Sequence, residues 1–143
     1  MSVAHELVDF RLLRRPRNIA GPVLAGAGFF VWTGLSILSG LGEHDGFRLA
    51  EAWDTPAYFY LGLPLMAMMV AAVGFLRPKR VWRWPLWLVG GHQAGVLLVG
   101  LGMQSGLSLI ILTVMMALLL AALFAVPAAA GSVLARRIRQ RPY

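Results

Sequence analysis

The chain has 143 residues, of which 59% are hydrophobic and only 13% are charged. A soluble domain of this size would have roughly twice that charged fraction, so the composition excludes an ordinary soluble fold and predicts a membrane protein. The formal net charge is +7, but twelve of the thirteen basic residues flank hydrophobic segments, which indicates membrane topology rather than nucleic-acid binding. The absence of cysteine excludes disulfides, thiolate metal sites and cysteine nucleophiles.

The first eighteen residues mix polar and apolar side chains. Val3, Leu7 and Phe10 recur at helical spacing, with charged residues elsewhere around the helix. This pattern predicts a short amphipathic helix at the cytoplasmic membrane interface rather than a cleavable signal peptide.

Four long apolar segments follow, and they predict an all-α fold, a four-helix transmembrane bundle. A helix of about twenty residues is roughly 30 Å long, which is enough to cross a bilayer. Because the basic residues fall on one side of these segments, we expect both termini to be cytoplasmic. The predicted units are an interfacial segment 1–18, a membrane domain 19–134 with spans at about 19–40, 57–76, 85–103 and 108–134, and a basic cytoplasmic tail 135–143.

Small residues at helical spacing in the first and third spans predict close helix packing, because they let two backbones approach in lipid. Glycine is also common in membrane helices generally, which would explain the same pattern without a packing role. Two internal prolines predict kinks. The predicted packing positions are Gly21, Ala25, Gly28, Gly91, Gly95 and Gly102, and the predicted kinks are Pro64 and Pro127.

Charged and aromatic residues predict the two membrane boundaries. The loop before the second span is acidic and is expected outside the cytoplasm, where Trp53, Tyr58 and Tyr60 would form an aromatic belt. Acidic residues at the end of this loop could bind a cation or a partner, although a helix cap explains Asp54 equally well. The acidic residues are Glu43, Asp45, Glu51 and Asp54, and the lipid-interface residues are Trp53 on the outer side and Trp82, Trp84, Arg77, Lys79, Arg80 and Arg83 on the cytoplasmic side.

His92 and Gln93 lie near the middle of the third span. An ionisable residue within a span is a candidate functional group, so one interpretation places this pair on a proton or substrate path. The other interpretation is a hydrogen-bonded contact between helices, worth about 1 kcal/mol. The expected partners in that case are the Tyr60 carbonyl freed by Pro64, Thr33 and Ser36.

Signatures of common catalytic and cofactor sites are absent from usable positions in the sequence. Only one histidine lies in a span, whereas a bis-histidine haem requires two axial donors. His44 lies between Glu43 and Asp45, but adjacent residues do not easily converge on one metal ion. We therefore expect no cofactor and no metal, and the lack of a legible nucleophile–base pair favours a non-enzymatic protein.

Several motifs resemble those of one known group of proteins. They are Trp53-Asp54-x-Pro56-x-Tyr58, Gly62-x-Pro64, the run from Gly74-Phe75-Leu76-x-Pro78 to Trp82-Arg83-Trp84, and Pro127 before an arginine-rich end. From the second span onward, the chain resembles an uncharacterised family of small four-span bacterial inner-membrane proteins. The resemblance implies a bacterial inner (plasma) membrane and four spans, but it implies no activity and no site residue.

These features favour a non-enzymatic membrane module, an accessory or scaffold subunit that assembles through glycine-rich helix faces. The alternative is a small oligomeric transporter or channel with a path near His92, Gln93 and the Pro64 kink. A lipid-modifying enzyme that uses His92, Glu51 or Asp54 is a third and weaker hypothesis. The expected partners are membrane lipids, including anionic headgroups, and either further copies of the chain or a larger membrane complex.

Overall fold

The computed structural model of the protein describes residues 19–40, 52–102 and 107–140. Within these ranges the chain is helical and contains no strand, which confirms the all-α class for the described residues. The predicted interfacial helix 1–18 and most of the acidic loop lie outside them. The four α-helices are α1, Ala20–Gly40; α2, Leu63–Leu76; α3, Arg83–Gly102; and α4, Leu107–Arg139.

Three helical stretches of the described chain are long and apolar enough to cross a membrane. They are Ala20–Ser39, Tyr58–Leu76 and Ile110–Arg139. These stretches support the prediction of a membrane protein with transmembrane helices. α3 is not among them, and it includes Arg83, His92 and Gln93.

The helices pair with partners that are not adjacent in the sequence. α1 lies along α3, α2 lies along α4, and α3 contacts α4, whereas α2 has few contacts with either α1 or α3. α1 and α3 run in the same direction, because Gly21 meets Trp87 near the start of both helices and Trp32 meets Gly95 further along.

Both internal prolines lie within helical stretches. Pro64 is the second residue of α2, but the helix continues without a break from the preceding segment, so its missing N–H leaves the preceding turn one hydrogen bond short. A π-helical segment, Tyr58–Gly62, precedes it, and the Leu63 N–H donates to the Tyr58 carbonyl five residues earlier. The irregularity that the structure describes near Pro64 is this π-helical turn, and a kink at Pro64 stays a prediction. Pro127 lies inside α4, which continues through it.

Helix α4 continues to Arg139, so the first residues of the predicted tail 135–143 belong to this helix. No glycine or proline occurs between Gly131 and Pro142, and arginine is a strong helix former. The arginines of the last turn also stabilise the negative end of the helix dipole.

Two aromatic residues predicted at the membrane surface are buried instead. Tyr58 and Trp84 are 2% and 4% exposed, whereas Tyr60 and Trp82 are 79% and 63% exposed. Neighbouring positions of a helix point to different sides, so closeness to a helix end does not decide whether a ring faces lipid or another helix. Tyr58 and Trp84 therefore pack inside the protein rather than facing lipid, and their depth near the membrane surface stays a prediction.

Candidate functional site

His92 lies in the middle of α3 and is completely buried. Leu88 and Val96, four residues before and after it, are buried on the same face of the helix. This face meets α1, because a side-chain carbon on Gly28 would lie 2.9 Å from the His92 backbone nitrogen. The polar residue predicted within the membrane is thus at a contact between two helices.

The His92 ring is hydrogen-bonded to Tyr58 of the π-helical segment. Tyr58 Oη and His92 Nε2 are 2.8 Å apart, and both side chains are buried. One nitrogen of a neutral imidazole donates and the other accepts, so the phenol and the imidazole share a hydrogen bond in either tautomer. The pair joins residues that are 34 positions apart and fixes the π-helical segment against α3.

The hydroxyl partners expected from the sequence do not bind His92. The Thr33 hydroxyl donates to the Phe29 carbonyl of its own helix. Ser36 Oγ is buried and has no hydrogen-bond partner among the described residues. His92 therefore contacts the second membrane-length stretch through a side chain and not through a freed carbonyl.

Tyr58 was not among the expected partners, because its place beside other aromatic residues favoured the membrane surface. Helical spacing is the signal that could have identified it. Tyr58, Gly62, Met66 and Val70 follow one another at intervals of four, and all four are buried. A regular stripe of this kind marks one helix face, and the tyrosine hydroxyl lies at its end.

Trp32 of α1 packs edge-on against three other rings around this pair. The distances between ring centroids are 4.9 Å to His92, 5.5 Å to Tyr58 and 4.6 Å to Trp53. Edge-to-face contacts between aromatic side chains are worth about 0.5–1.5 kcal/mol each beyond the burial of area. Trp53, predicted at the outer lipid interface, is half-buried against Trp32. We refer to Trp32, Trp53, Tyr58 and His92 as the aromatic cluster.

Several buried polar atoms have no hydrogen-bond partner within the described ranges. They include His92 Nδ1, Ser36 Oγ and both polar atoms of the Gln93 amide. The Thr113 hydroxyl and the Trp32 indole N–H are also unpaired there. A buried polar group without a partner costs about 1–3 kcal/mol, so a polar species reaching these atoms would be bound favourably.

Glycines bring α1 and α3 into backbone contact around His92. A Cβ on Gly91 would overlap the Ala25 carbonyl, and a Cβ on Gly28 would overlap the Leu88 carbonyl. The predicted packing positions Gly28, Ala25 and Gly91 therefore lie where the two backbones meet. Gly21 and Gly95 face the indoles of Trp87 and Trp32, and Gly102 is the last residue of α3.

Two glycines that were not predicted as packing positions pack α2 against α4. A Cβ on Gly74 would overlap the Ala128 carbonyl, and a Cβ on Gly131 would overlap the Ala71 carbonyl. Gly74 and Gly131 are each the only glycine in their helix. That isolation within a run of larger side chains is the signal by which they could have been recognised.

The predicted cytoplasmic basic residues gather around one pocket at the ends of α2, α3 and α4, which we call the basic pocket. Trp84 Nε1 donates to the Arg77 carbonyl at 3.2 Å, and an Arg136 guanidinium nitrogen lies 3.5 Å from the Pro78 carbonyl oxygen. The end of α4 is thus held against the turn between α2 and α3. The pocket has a volume of about 520 Å³ and is lined by Leu76, Arg77, Pro78, Lys79, Arg80, Arg83, Trp84 and Arg139.

The predicted acidic site falls mostly outside the described residues, which do not include Glu43, Asp45 and Glu51. Asp54 ends a short 3-10 helix, Ala52–Asp54. The hydroxyl of the next residue, Thr55, donates to the Ala52 carbonyl at 2.7 Å. A cation or partner site in this loop stays a prediction.

The chemistry available at the aromatic cluster is hydrogen bonding and proton exchange at one imidazole. No three histidine, cysteine or acidic residues come together in the described part of the chain. Neither His92 nor Gln93 lines the basic pocket, the apolar groove between α1 and α2, or the surface hollow beside Trp82 and Trp87. No protein-family model, curated protein or solved structure matches the chain.

Proposed function

We propose that the protein is a non-enzymatic integral membrane module of the bacterial inner membrane, an accessory or scaffold subunit that acts through its outer surface. The observation that carries this proposal is that the interior is packed while most of the apolar surface of the helices is exposed. Side chains and direct backbone contacts fill the interior of the described helices. Only 28%, 22% and 17% of an apolar 18-residue window in each of the three membrane-length stretches is buried, so most side chains there remain at least partly open to lipids and partner helices.

Four spans in a bundle are supported by the directions and lengths of the helices. α1 and α3 run in the same direction, so the chain must turn back between them, and α2 is the helix between them in sequence. The 20 residues of α3 give a length of about 30 Å, which matches the hydrocarbon thickness of a bilayer. The polar His92 and Gln93 face the interior, as polar residues do within membrane helices.

Cytoplasmic termini are supported by the placement of the basic residues. The turn between α2 and α3 carries three of them and the first residue of α3 is a fourth, and the contact of Arg136 with the Pro78 carbonyl brings the arginines of α4 to the same end. Positive charge of this kind is retained on the cytoplasmic side during insertion. The proposal therefore has an even number of crossings, and its basic end meets the anionic lipids of the inner leaflet.

The closed aromatic cluster supports a structural role for His92. Its Nε2 is bonded to Tyr58, its ring packs on Trp32, and it is completely buried. A catalytic group must be reachable by its substrate, and neither His92 nor Tyr58 lines any of the three pockets named above. A scaffold needs a fixed interior of this kind and no access to it.

The glycines that remain open indicate where a partner helix would bind. A Cβ on Gly26 or Gly34 would meet no atom within 4 Å, and Phe30 between them is 73% exposed. These residues recur at intervals of four on the outer side of α1. Small residues on an outward helix face allow another membrane helix to approach closely, so we assign assembly to this face.

Cross-linking in native membranes tests the assignment. Because the chain has no cysteine, Phe30→Cys introduces a single thiol on the proposed assembly face. A reagent that joins a maleimide to a benzophenone reacts with this thiol and, on illumination, inserts into a C–H bond of whatever helix lies beside it. It should then produce one discrete protein adduct, whose mass distinguishes a second copy from a different subunit. The matched control is Leu119→Cys, which is 62% exposed on α4 and should remain monomeric. No adduct at Phe30→Cys, or an equal yield at both positions, would contradict an assembly role for α1.

A second candidate function, a small transporter or channel, is favoured by the unpaired polar atoms. His92 Nδ1 and the Gln93 amide could bind a proton or a small polar solute, with a path past the π-helical turn near Pro64. Flux into vesicles containing the purified protein that falls with His92→Ala would favour transport. Thr33→Ala is the control, since its hydroxyl is already bonded within α1. Absence of flux together with a specific α1 adduct would favour the scaffold.

A further inference from the structure

The basic pocket brings together cations from separate parts of the chain. Five of its lining residues are arginine or lysine, and none of the described residues that line it is acidic. Retention of positive charge in the cytoplasm explains why these residues lie at one end of the protein, but it does not require them to surround one cavity. The cavity of about 520 Å³ is within the usual size range of small-molecule sites.

Neighbouring helix ends do not neutralise this charge. The C-terminal ends of α2 and α4 lie at the pocket, and each is equivalent to about −0.5 charge. The N-terminal end of α3 adds about +0.5. The helix ends together therefore offset less than one of the five positive charges.

The turn that forms the pocket is held in a fixed and strained shape. Arg80 has a φ of 58°, a left-handed conformation that is unfavourable for a residue with a side chain. Its carbonyl accepts from the Arg83 N–H at 3.1 Å, and Trp84 Nε1 anchors the Arg77 carbonyl at 3.2 Å. Backbone strain of this kind occurs preferentially where side chains are held around a ligand.

We propose that the basic pocket binds the headgroup of an anionic lipid that carries two phosphates. Arginine guanidinium groups match phosphate oxygens with paired charge-assisted hydrogen bonds. Even without Arg77, the four lining cations Lys79, Arg80, Arg83 and Arg139 exceed the charge of a headgroup with a single phosphate, which favours a multiply charged one. A membrane lipid is favoured over a soluble phosphate because the pocket wall includes Leu76, which is 66% exposed and continues onto the outer surface of α2. Acyl chains would lie along that surface.

This inference rests on the proposed membrane insertion but not on the scaffold role. The purified full-length protein in neutral detergent is titrated with cardiolipin, phosphatidylglycerol and phosphatidylcholine, and bound lipid is counted by native mass spectrometry. We expect one cardiolipin to be retained at concentrations where phosphatidylcholine is not. Arg83→Gln should weaken cardiolipin binding by about tenfold, the loss expected for one charge-assisted contact.

Arg137→Gln is the matched control, because Arg137 lies at the same end of α4 but does not line the pocket. Its binding should remain within about twofold of that of the unmodified protein, since an exposed charge outside the pocket is screened. Arg80→Gly separates binding from folding. Glycine relieves the strain at φ 58°, so this variant should lose lipid affinity while its thermal stability without lipid stays equal or rises.

Three outcomes would overturn the proposal. Equal losses in Arg83→Gln and Arg137→Gln would show diffuse surface attraction rather than a pocket. Retention of phosphatidylcholine as strong as that of cardiolipin would exclude phosphate recognition by charge. Pyrophosphate that binds as tightly as cardiolipin would assign the pocket to a soluble anion. None of these results depends on cross-linking at Phe30, so each can be separated from a failure of the scaffold proposal.

Discussion

Replacing Gly91 with alanine is expected to push α3 away from α1, whereas replacing its neighbour Gly90 is not. A Cβ on Gly91 would overlap the Ala25 carbonyl and lie 2.6 Å from the Ala25 Cα. A Cβ on Gly90 would meet no atom within 4 Å. The two substitutions add the same methyl group to adjacent residues of one helix. The gain in helix propensity is therefore common to both, and the difference between them measures the α1–α3 contact.

The magnitude follows from the distances. Carbon atoms pack at about 3.5–4.0 Å, so the 2.6 Å approach to the Ala25 Cα alone requires α3 to move outward by roughly 1 Å in Gly91→Ala, and the overlap with the Ala25 carbonyl requires more. A gap of about 1 Å already forfeits about half of the dispersion energy between the separated atoms. Because the obstacle is backbone, the cost of overpacking should reach the upper part of its usual range, about 2–3 kcal/mol, and alanine returns up to about 1 kcal/mol of helix propensity. We therefore expect the free energy of unfolding to fall by about 1–2 kcal/mol in Gly91→Ala and to rise by up to about 1 kcal/mol in Gly90→Ala.

The assay is unfolding in mixed micelles of a mild detergent and increasing dodecyl sulfate, followed by tryptophan fluorescence. Trp32 packs on His92 at 4.9 Å beside this contact, so Gly91→Ala should also shift the emission of the folded state. Equal stability of the two variants would refute the reasoning, because the α1–α3 interface would then have room for a methyl group at Gly91.

Tyr58→Phe and His92→Leu, measured singly and together, should show a coupling energy of about 1 kcal/mol in the same assay, because the two side chains share a hydrogen bond. Strictly additive effects would mean that the bond contributes nothing to stability. Gly131→Ala should destabilise the protein by about 1–2 kcal/mol, since its Cβ would overlap a backbone carbonyl of α2; an unchanged unfolding midpoint would exclude a tight α2–α4 contact. Reporter fusions after Arg80 and at the C-terminus should report the cytoplasm, and a fusion after Asp45 should report the outside. An external C-terminus would end the four-span proposal.

The existence of the helices could be predicted from the sequence, because a run of about twenty apolar residues is recognisable from composition alone. Their pairing could not. Glycines at Gly28 and Gly91 indicate that a helix can be approached closely, but not which helix approaches it. The choice of α3 as the partner of α1 depends on which side chains fit across the contact, and this is decided only when both helices are present.

The site was predicted in part for a similar reason. His92 stands out because an ionisable residue in an apolar span requires an explanation. Its partner Tyr58 does not stand out, since tyrosine near a helix end is usual at a membrane surface. No rule of composition or spacing predicts the π-helical segment Tyr58–Gly62 either. A π-helical turn contains about one residue more than an α-helical turn, so it changes which side chains face inward. Trp84 is buried because it lies on the side of α3 that faces other helices, and its depth in the membrane does not decide this.

The pairing of alternate helices has a consequence for how the protein is made. A chain leaves the ribosome from its N-terminus, and in the proposed membrane arrangement α1 cannot reach its main partner until α3 has also been synthesised and inserted. α2 must wait in the same way for α4. Until these partners have been inserted, the backbone surfaces at Gly28 and Gly74 face lipid instead of another helix. A ribosome that stalls after the first two helices consequently leaves both main helix pairs unformed, and only the contacts of Trp32 with Trp53 and Tyr58 are within reach of the chain made so far.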